Sequence, residues 1–316
     1  MYRWDLDKTY LETDFDSLRG LVRTATESAS TKKATPGATA LMRGLCADPA
    51  ARVAIVSGSP VQMRAVLEQK LKLDGVRYES LVLKDSLRHL KKGELRAIRG
   101  QMGYKLPALL EGRVGLGRGV GETCFGDDAE VDAIVYSVYA DALAGRLRPA
   151  DVARILEAAG AYPPHVEATL SALARVATAD PVERIFIRVE RGRSPATFAP
   201  LGGRVVPVYS WFQAALVLHQ GGRLDEEGLR AVLLAVMEGE HVDAWTVGAW
   251  VQDIVRRGFL APAAFPDLGL DPTLRLAIGR ALERVSAAPA PAAVPPLIDY
   301  IRILQAWHQP VEAPTP

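Results

Sequence analysis

Short apolar runs that each stop at a turn or an acid, separated by helix-like segments, constrain this chain more than any other feature of its sequence. "RVAIVSGSP" is a β-prone run broken by Gly58 and Pro60. "ESLVLKD" is a second, ending in Asp85, and "ETCFGDD" a third, ending in Gly126, Asp127 and Asp128. Between them "GATALMRGLCA", "VQMRAVLEQKLK" and "KLPALLEG" read as helices. Strands alternating with helices predict a parallel sheet covered on both faces. Such a sheet carries its chemistry beyond the carboxyl ends of its strands. Asp5, Ser57, Asp85 and Asp127 all stand where an apolar run gives way to polar residues. Only Met1–Trp4 precede Asp5, so the first strand is expected to be very short.

After about Gly145 the texture changes. "PADVARILEAAGA", "PHVEATLSALARVA", "DEEGLRAVLLAVMEG" and "AWTVGAWVQDIVRRGF" read as amphipathic helices, interrupted by two β-prone pieces, "RIFIRVE" and "RVVPVYS". Residues 286–296 look like a Pro/Ala-rich linker, and "LIDYIRILQAWH" like a last helix. The expected organisation is an α/β domain over 1–145 and a mostly α-helical domain over 146–316. Two domains suit a chain of 316 residues.

Composition removes several classes of function. Lys+Arg number 38 against Asp+Glu 37, and a net charge of +1 argues against a nucleic-acid binder working through a broad basic field. Cys46 and Cys124 fit no metal-ligand spacing and suggest a reducing compartment, so a cytoplasmic protein is expected. Charges interrupt the N-terminal apolar stretch at once, and no apolar run is long enough for a membrane span.

The strand-end residues together suit one chemistry. A carboxylate such as Asp5 can attack phosphorus and form an aspartyl-phosphate. A second acid, Asp7, is then needed to protonate the leaving alkoxide and to activate water. A metal that prefers oxygen ligands, most simply Mg²⁺, would neutralise the phosphoryl oxygens. "FGDDAEVD" offers Asp127, Asp128 and Asp132 for that metal. Ser57 and the amides of its turn, with Lys105 of "GYKLPALL", offer donors and a fixed cation.

Asp-x-Asp-x-Thr, then Ser, then Lys, then Gly-Asp-Asp resembles the four motifs of the haloacid dehalogenase-like phosphohydrolases. "KKATPGATALMRGL", "AIVSGSPVQMRAVLEQKL" and "GVRYESLVLKDSLRHL" resemble, more narrowly, the phosphatidate phosphatase catalytic domain of the actin-patch type. The resemblance covers roughly residues 1–143. It implies a Rossmann-like, haloacid dehalogenase-like fold, and the stretch between the first two motifs, roughly residues 10–52, is too short for a large inserted cap. It also implies a Mg²⁺-dependent phosphatase, with Asp5 as nucleophile and Asp7 as general acid and base. Ser57 and Gly58 with Lys105 would hold the phosphoryl group, and Thr9 the first loop. Asp5, the Asp7 carbonyl and Asp127 would hold Mg²⁺, supported by Asp128 or Asp132. Phosphatidate is the substrate class it implies, with peripheral rather than integral membrane contact. Lys8 stands where the family usually has an acid, Tyr104 where it has His, and Asp128 where it has Ser.

Two other readings belong to different classes. One is a phosphatase of a soluble metabolite or a phosphoprotein; the other is a catalytically silent interaction protein on the same fold. "GLGRGVG" at 115–121 lacks the dinucleotide spacing and reads as a loop. Glu238, Glu240, His241 and Asp243 lack zinc-protease spacing and read as a helix end. Trp245 and Trp250, with Val247, Val251, Ile254 and Val255, read first as a packing stripe.

Overall fold

The computed structural model describes residues 1–12, 28–84, 95–190, 192–266, 268–285 and 297–307. Among these, six strands form one all-parallel sheet: β1 (Tyr2–Trp4), β2 (Val53–Pro60), β3 (Ser80–Lys84), β4 (Glu122–Asp127), β5 (Val182–Arg188) and β6 (Val205–Val208). Their order is β3-β2-β1-β4-β5-β6. The chain winds outward from β1 to β3, returns to the other side of β1, and winds outward again to β6. β1 therefore borders the point where the winding reverses, the place where open parallel sheets bind ligands. Three residues suffice for β1 because it is paired along its length on both sides, Trp4 facing Ile55 of β2 and Phe125 of β4.

Alternate strand residues feed two cores. On one face Trp4, Phe125, Phe186 and Val206 meet helices α1 (Ala38–Leu45), α2 (Arg64–Leu73), α7 (Trp211–Gln220), α8 (Glu226–Glu240), α9 (Ala244–Arg256) and α10 (Pro272–Glu283). On the other, Val56, Cys124, Ile185 and Ile187 meet α3 (Leu95–Glu111), α4 (Asp132–Leu143), α5 (Pro149–Ala158), α6 (Pro163–Arg175) and α11 (Tyr300–Trp307). Trp4 and Phe125 stack with ring centroids 4.1 Å apart, and Phe186 and Trp211 extend the aromatic cluster. Offset aromatic pairs of this kind add to the burial of their large surfaces.

The boundary expected at residue 145 does not divide the sheet. "RIFIRVE" and "RVVPVYS" are its strands β5 and β6, with Asp127 of β4 in register with Arg188 of β5. Both faces of these strands are covered, which is why they read as continuous apolar runs rather than as alternating ones. The second half thus supplies two of the six strands, and α7 and α8 complete the core that α1 begins. Asp85 and the Pro/Ala-rich stretch at 286–296 lie outside the described residues. Among the described residues, no helix is long and apolar enough to cross a membrane.

Candidate active site

Asp5 and Asp7 leave the carboxyl end of β1 in a tight loop. Lys8 takes a left-handed backbone, φ 59°, and the Tyr10 and Leu11 amides turn back onto the Leu6 carbonyl at 3.0 and 2.8 Å. That curl returns Thr9 toward β4, where its hydroxyl donates to Asp127 Oδ2 at 3.0 Å. The Asp5 amide donates to the Phe125 carbonyl at 2.9 Å, continuing the β1–β4 ladder by one residue. The side chains of Asp5, Thr9 and Asp127 are wholly buried, and Asp7 is nearly so.

The turn after β2 serves Asp7. Ser57 Oγ donates to Asp7 Oδ2 at 2.9 Å, and Ser59 Oγ lies 3.0 and 2.8 Å from Oδ1 and Oδ2. The Ser59 amide in turn donates to Ser57 Oγ at 2.9 Å. Burial raises the Asp7 carboxyl above its ordinary value despite these hydroxyl donors. Burial thus lets Asp7 hold a proton.

Lys105, on α3, is completely buried, and its Nζ lies 2.7 Å from Asp5 Oδ1, 2.8 Å from Glu130 and 2.5 Å from Asp132 Oδ1. Burial alone would lower its pKa, but Asp132, Asp5 and Glu130 hold it charged and well above the usual lysine range. Gly126 permits the approach of Asp132, because a Cβ there would come within 2.6 Å of the Asp132 carboxylate. Asp132 Oδ2 also accepts from the Asp127 amide at 3.4 Å, and Asp127 Oδ1 from the Ala129 and Glu130 amides at 2.7 and 3.2 Å.

The carboxylates outnumber the cations on this floor. Burial pushes the Asp132 carboxyl up to about 6 even with Lys105 beside it. Burial, then Asp132 and Glu130, raises Asp127 well above the carboxylate range, and Asp5 is raised mainly by burial. Neither Asp5 oxygen has a hydrogen-bond donor among the described residues; the Lys105 contact is ionic and off the hydrogen-bond direction. A hard divalent cation fits such a donor set, since oxygen ligands and unpaired charge are what Mg²⁺ requires. Oxygens of Asp5, Glu130 and Asp132 come close enough together to hold an ion. The Lys105 ammonium contacts all three, so a metal there would share these carboxylates with it.

Of the residues expected from sequence, Asp5, Thr9, Lys105, Asp127 and Asp132 are joined by one set of these contacts, and Asp7 and Ser57 by another. Gly58 is in the turn beside them. Asp128 is engaged elsewhere: its carboxylate accepts from the Glu190 amide at 2.6 Å, in the loop after β5. Asp132 holds Lys105 and the β4 loop. Glu130 and Ser59 were not singled out, although both stand inside motifs already marked, "FGDDAEVD" and "VSGSP". Their alternation with the expected residues is the signal that would have found them. Comparison with family models, with curated proteins and with solved structures gives no match to this chain.

Proposed function

We propose that this chain is a Mg²⁺-dependent phosphomonoester hydrolase that acts through an aspartyl-phosphate on Asp5. The observation that carries the reading is the gathering of the Asp5, Glu130 and Asp132 carboxylates beside the reversal of the sheet, with Lys105 2.7 Å from Asp5 and the Asp5 oxygens without hydrogen-bond donors among the described residues. Asp5 attacks phosphorus, the bond from phosphorus to the ester oxygen breaks, and the leaving alkoxide takes the proton of Asp7. Water then gives a proton back to Asp7 and attacks phosphorus. The bond to Asp5 breaks and inorganic phosphate leaves.

Burial favours the protonated form of Asp7 for the first step, and the bonds from Ser57 and Ser59 hold its carboxyl in place. Lys105 compensates charge on Asp5, while Asp132 and Glu130 hold Lys105 there. Mg²⁺ on Asp5, Asp127 and the Asp7 carbonyl would keep both carboxylates ionised and draw charge from the phosphoryl oxygens. Half-buried residues in reach of the floor include Gln101, Tyr104 and Glu130, all with a polar group. That rim favours a water-soluble ester over the phosphatidate that the resemblance implies.

Release of phosphate from an aryl phosphate tests the reading. Wild-type protein is expected to be active with Mg²⁺ and silent with EDTA, and Asp5→Asn to lose at least about a thousandfold in kcat. Equal silence of wild type and variant, both folded by circular dichroism, would leave an interaction protein as the better account.

A further inference from the structure

The face of α3 that carries Lys105 to the carboxylates carries two more polar side chains, Gln101 and Tyr104, at helical neighbour spacing. The Gln101 amide nitrogen donates to the Glu130 carboxylate. A carboxylate only accepts, so this bond fixes which end of the amide is nitrogen. The other end, Oε1, is closed to solvent and has no donor among the described residues. A Cβ placed on Gly58 would lie 3.4 and 3.5 Å from the two ends of this amide, so Gln101 rests on the turn that presents Ser57.

The Tyr104 hydroxyl is likewise closed to solvent and without a partner among the described residues. Lys105, Asp5, Arg64 and Asp7 are the charged groups around it. An unmet buried hydroxyl or amide oxygen costs stability, and such atoms are uncommon enough in folded proteins to need a reason. Here two stand on one helix face beside the candidate nucleophile.

The chemistry of the two atoms narrows what completes them. A phosphoryl oxygen accepts only, so it cannot satisfy Gln101 Oε1. A hydrocarbon satisfies neither atom. An alcohol hydroxyl both donates and accepts. We infer that Gln101 and Tyr104 recognise the alcohol half of the substrate through its hydroxyl groups, so that the substrate class is the phosphomonoesters of polyhydroxylated alcohols. The inference rests on the phosphomonoesterase reading above and assigns a specificity to the same site.

Glycerol phosphate and propyl phosphate, equal in carbon count and different in hydroxyls, make the test, with phosphatidate in phosphatidylcholine vesicles as a third arm. With Mg²⁺, kcat/KM is expected to favour glycerol phosphate over propyl phosphate by about a hundredfold, from two hydrogen bonds at about tenfold each. Tyr104→Phe and Gln101→Met are each expected to lower that ratio about tenfold, through the KM for glycerol phosphate. Tyr104→Phe is further expected to melt no lower than wild type, since it removes an unmet polar atom.

A ratio unchanged in both variants, while Asp5→Asn abolishes turnover of both esters, would overturn the recognition and leave the phosphatase reading standing. Faster turnover of phosphatidate than of glycerol phosphate would overturn it in favour of a lipid. A Tyr104→Phe protein that melts lower and loses equally on both esters would make the hydroxyl structural. Hydrolysis of none of the three substrates, alike in wild type and Asp5→Asn, would overturn the phosphatase reading and this specificity with it.

Discussion

Glu122, the first residue of β4, shows how much a single buried charge fixes here. Its carboxylate takes Arg3 Nε at 2.9 Å, Arg3 Nη2 at 3.0 Å, Arg113 Nη1 at 2.9 Å and the Tyr139 hydroxyl at 2.8 Å, which ties β1, the end of α3, β4 and α4 together. Arg113 also donates to the carbonyls of Gly117 and Val120, both at 2.9 Å, and so anchors the glycine-rich loop that the sequence shows only as a loop. Burial alone would raise the Glu122 carboxyl, but the two guanidiniums and the phenol hold it below its ordinary value. A depressed carboxyl contributes stability that is present above its unfolded pKa, about 4.3, and lost as pH falls through the lower folded value. Glu122→Gln leaves two guanidiniums buried without a counter-charge and is expected to cost about 3–5 kcal/mol at pH 7, measured by urea unfolding. The difference between the two proteins should shrink below about pH 4, where wild type loses its own carboxylate. None of this network could be read from sequence, because its members are 9 to 119 residues apart. Asp5, Asp7 and Asp127 could be read, because an acid at the end of an apolar run has few structural uses. Gln101 could not: on a helix surface it looks like any solvated residue, and Tyr104 stands out only as the residue where the family has His.

At the scale of elements, most helices with one apolar stripe were readable, while the largely buried α4 and α7 were not. Residues 211–218 of α7 are buried on every side, so its sequence has no 3.6-residue period to find. β5 and β6 were seen as β-prone, yet a short apolar run does not state which sheet it joins. The corner between α8 and α9 shows the reverse case. His241 ends α8 in a left-handed conformation, φ 52°, and Asp243 starts α9 by accepting from the Thr246 amide and hydroxyl, both at 2.8 Å. Glu240 turns back to pair with Arg188 at 3.5 Å. These acids therefore shape a helix corner. Beyond it, Val247, Val251, Ile254 and Val255 enter the core while Trp245 is half exposed, beneath the Arg280 guanidinium. Asp243→Ala removes the N-cap and is expected to destabilise the fold modestly, with Asp243→Asn recovering most of the loss. Thermal unfolding should register the first change as a fall of about 2 °C.

The whole molecule has its candidate site near the middle of a sheet that needs both halves of the chain. Trp211, at the start of α7, donates its indole N–H to the Thr9 carbonyl at 3.2 Å and so braces the loop that carries Asp5 and Asp7. Trp307, at the end of α11, donates to the Glu130 carbonyl at 2.9 Å and lies under the Arg193 guanidinium, 4.4 Å from its ring centre. Tyr300 of the same helix bonds Asp141 of α4 at 2.6 Å. A fragment ending at residue 145 loses all three braces, and β4 becomes an open edge with unpaired backbone groups. It also uncovers Trp4 and Phe125, which now pack on Phe186 and Trp211. Each large aromatic side chain left in water forfeits about 2–3 kcal/mol of burial, so that the two together approach the whole stability of a marginal domain. The fragment 1–145 is therefore expected to lack near-ultraviolet circular dichroism, to bind a hydrophobic dye and to aggregate, whereas the full chain does none of these. A fragment that instead unfolds cooperatively would make residue 145 a true domain boundary. β5 and β6 would then be additions to a sheet already stable without them.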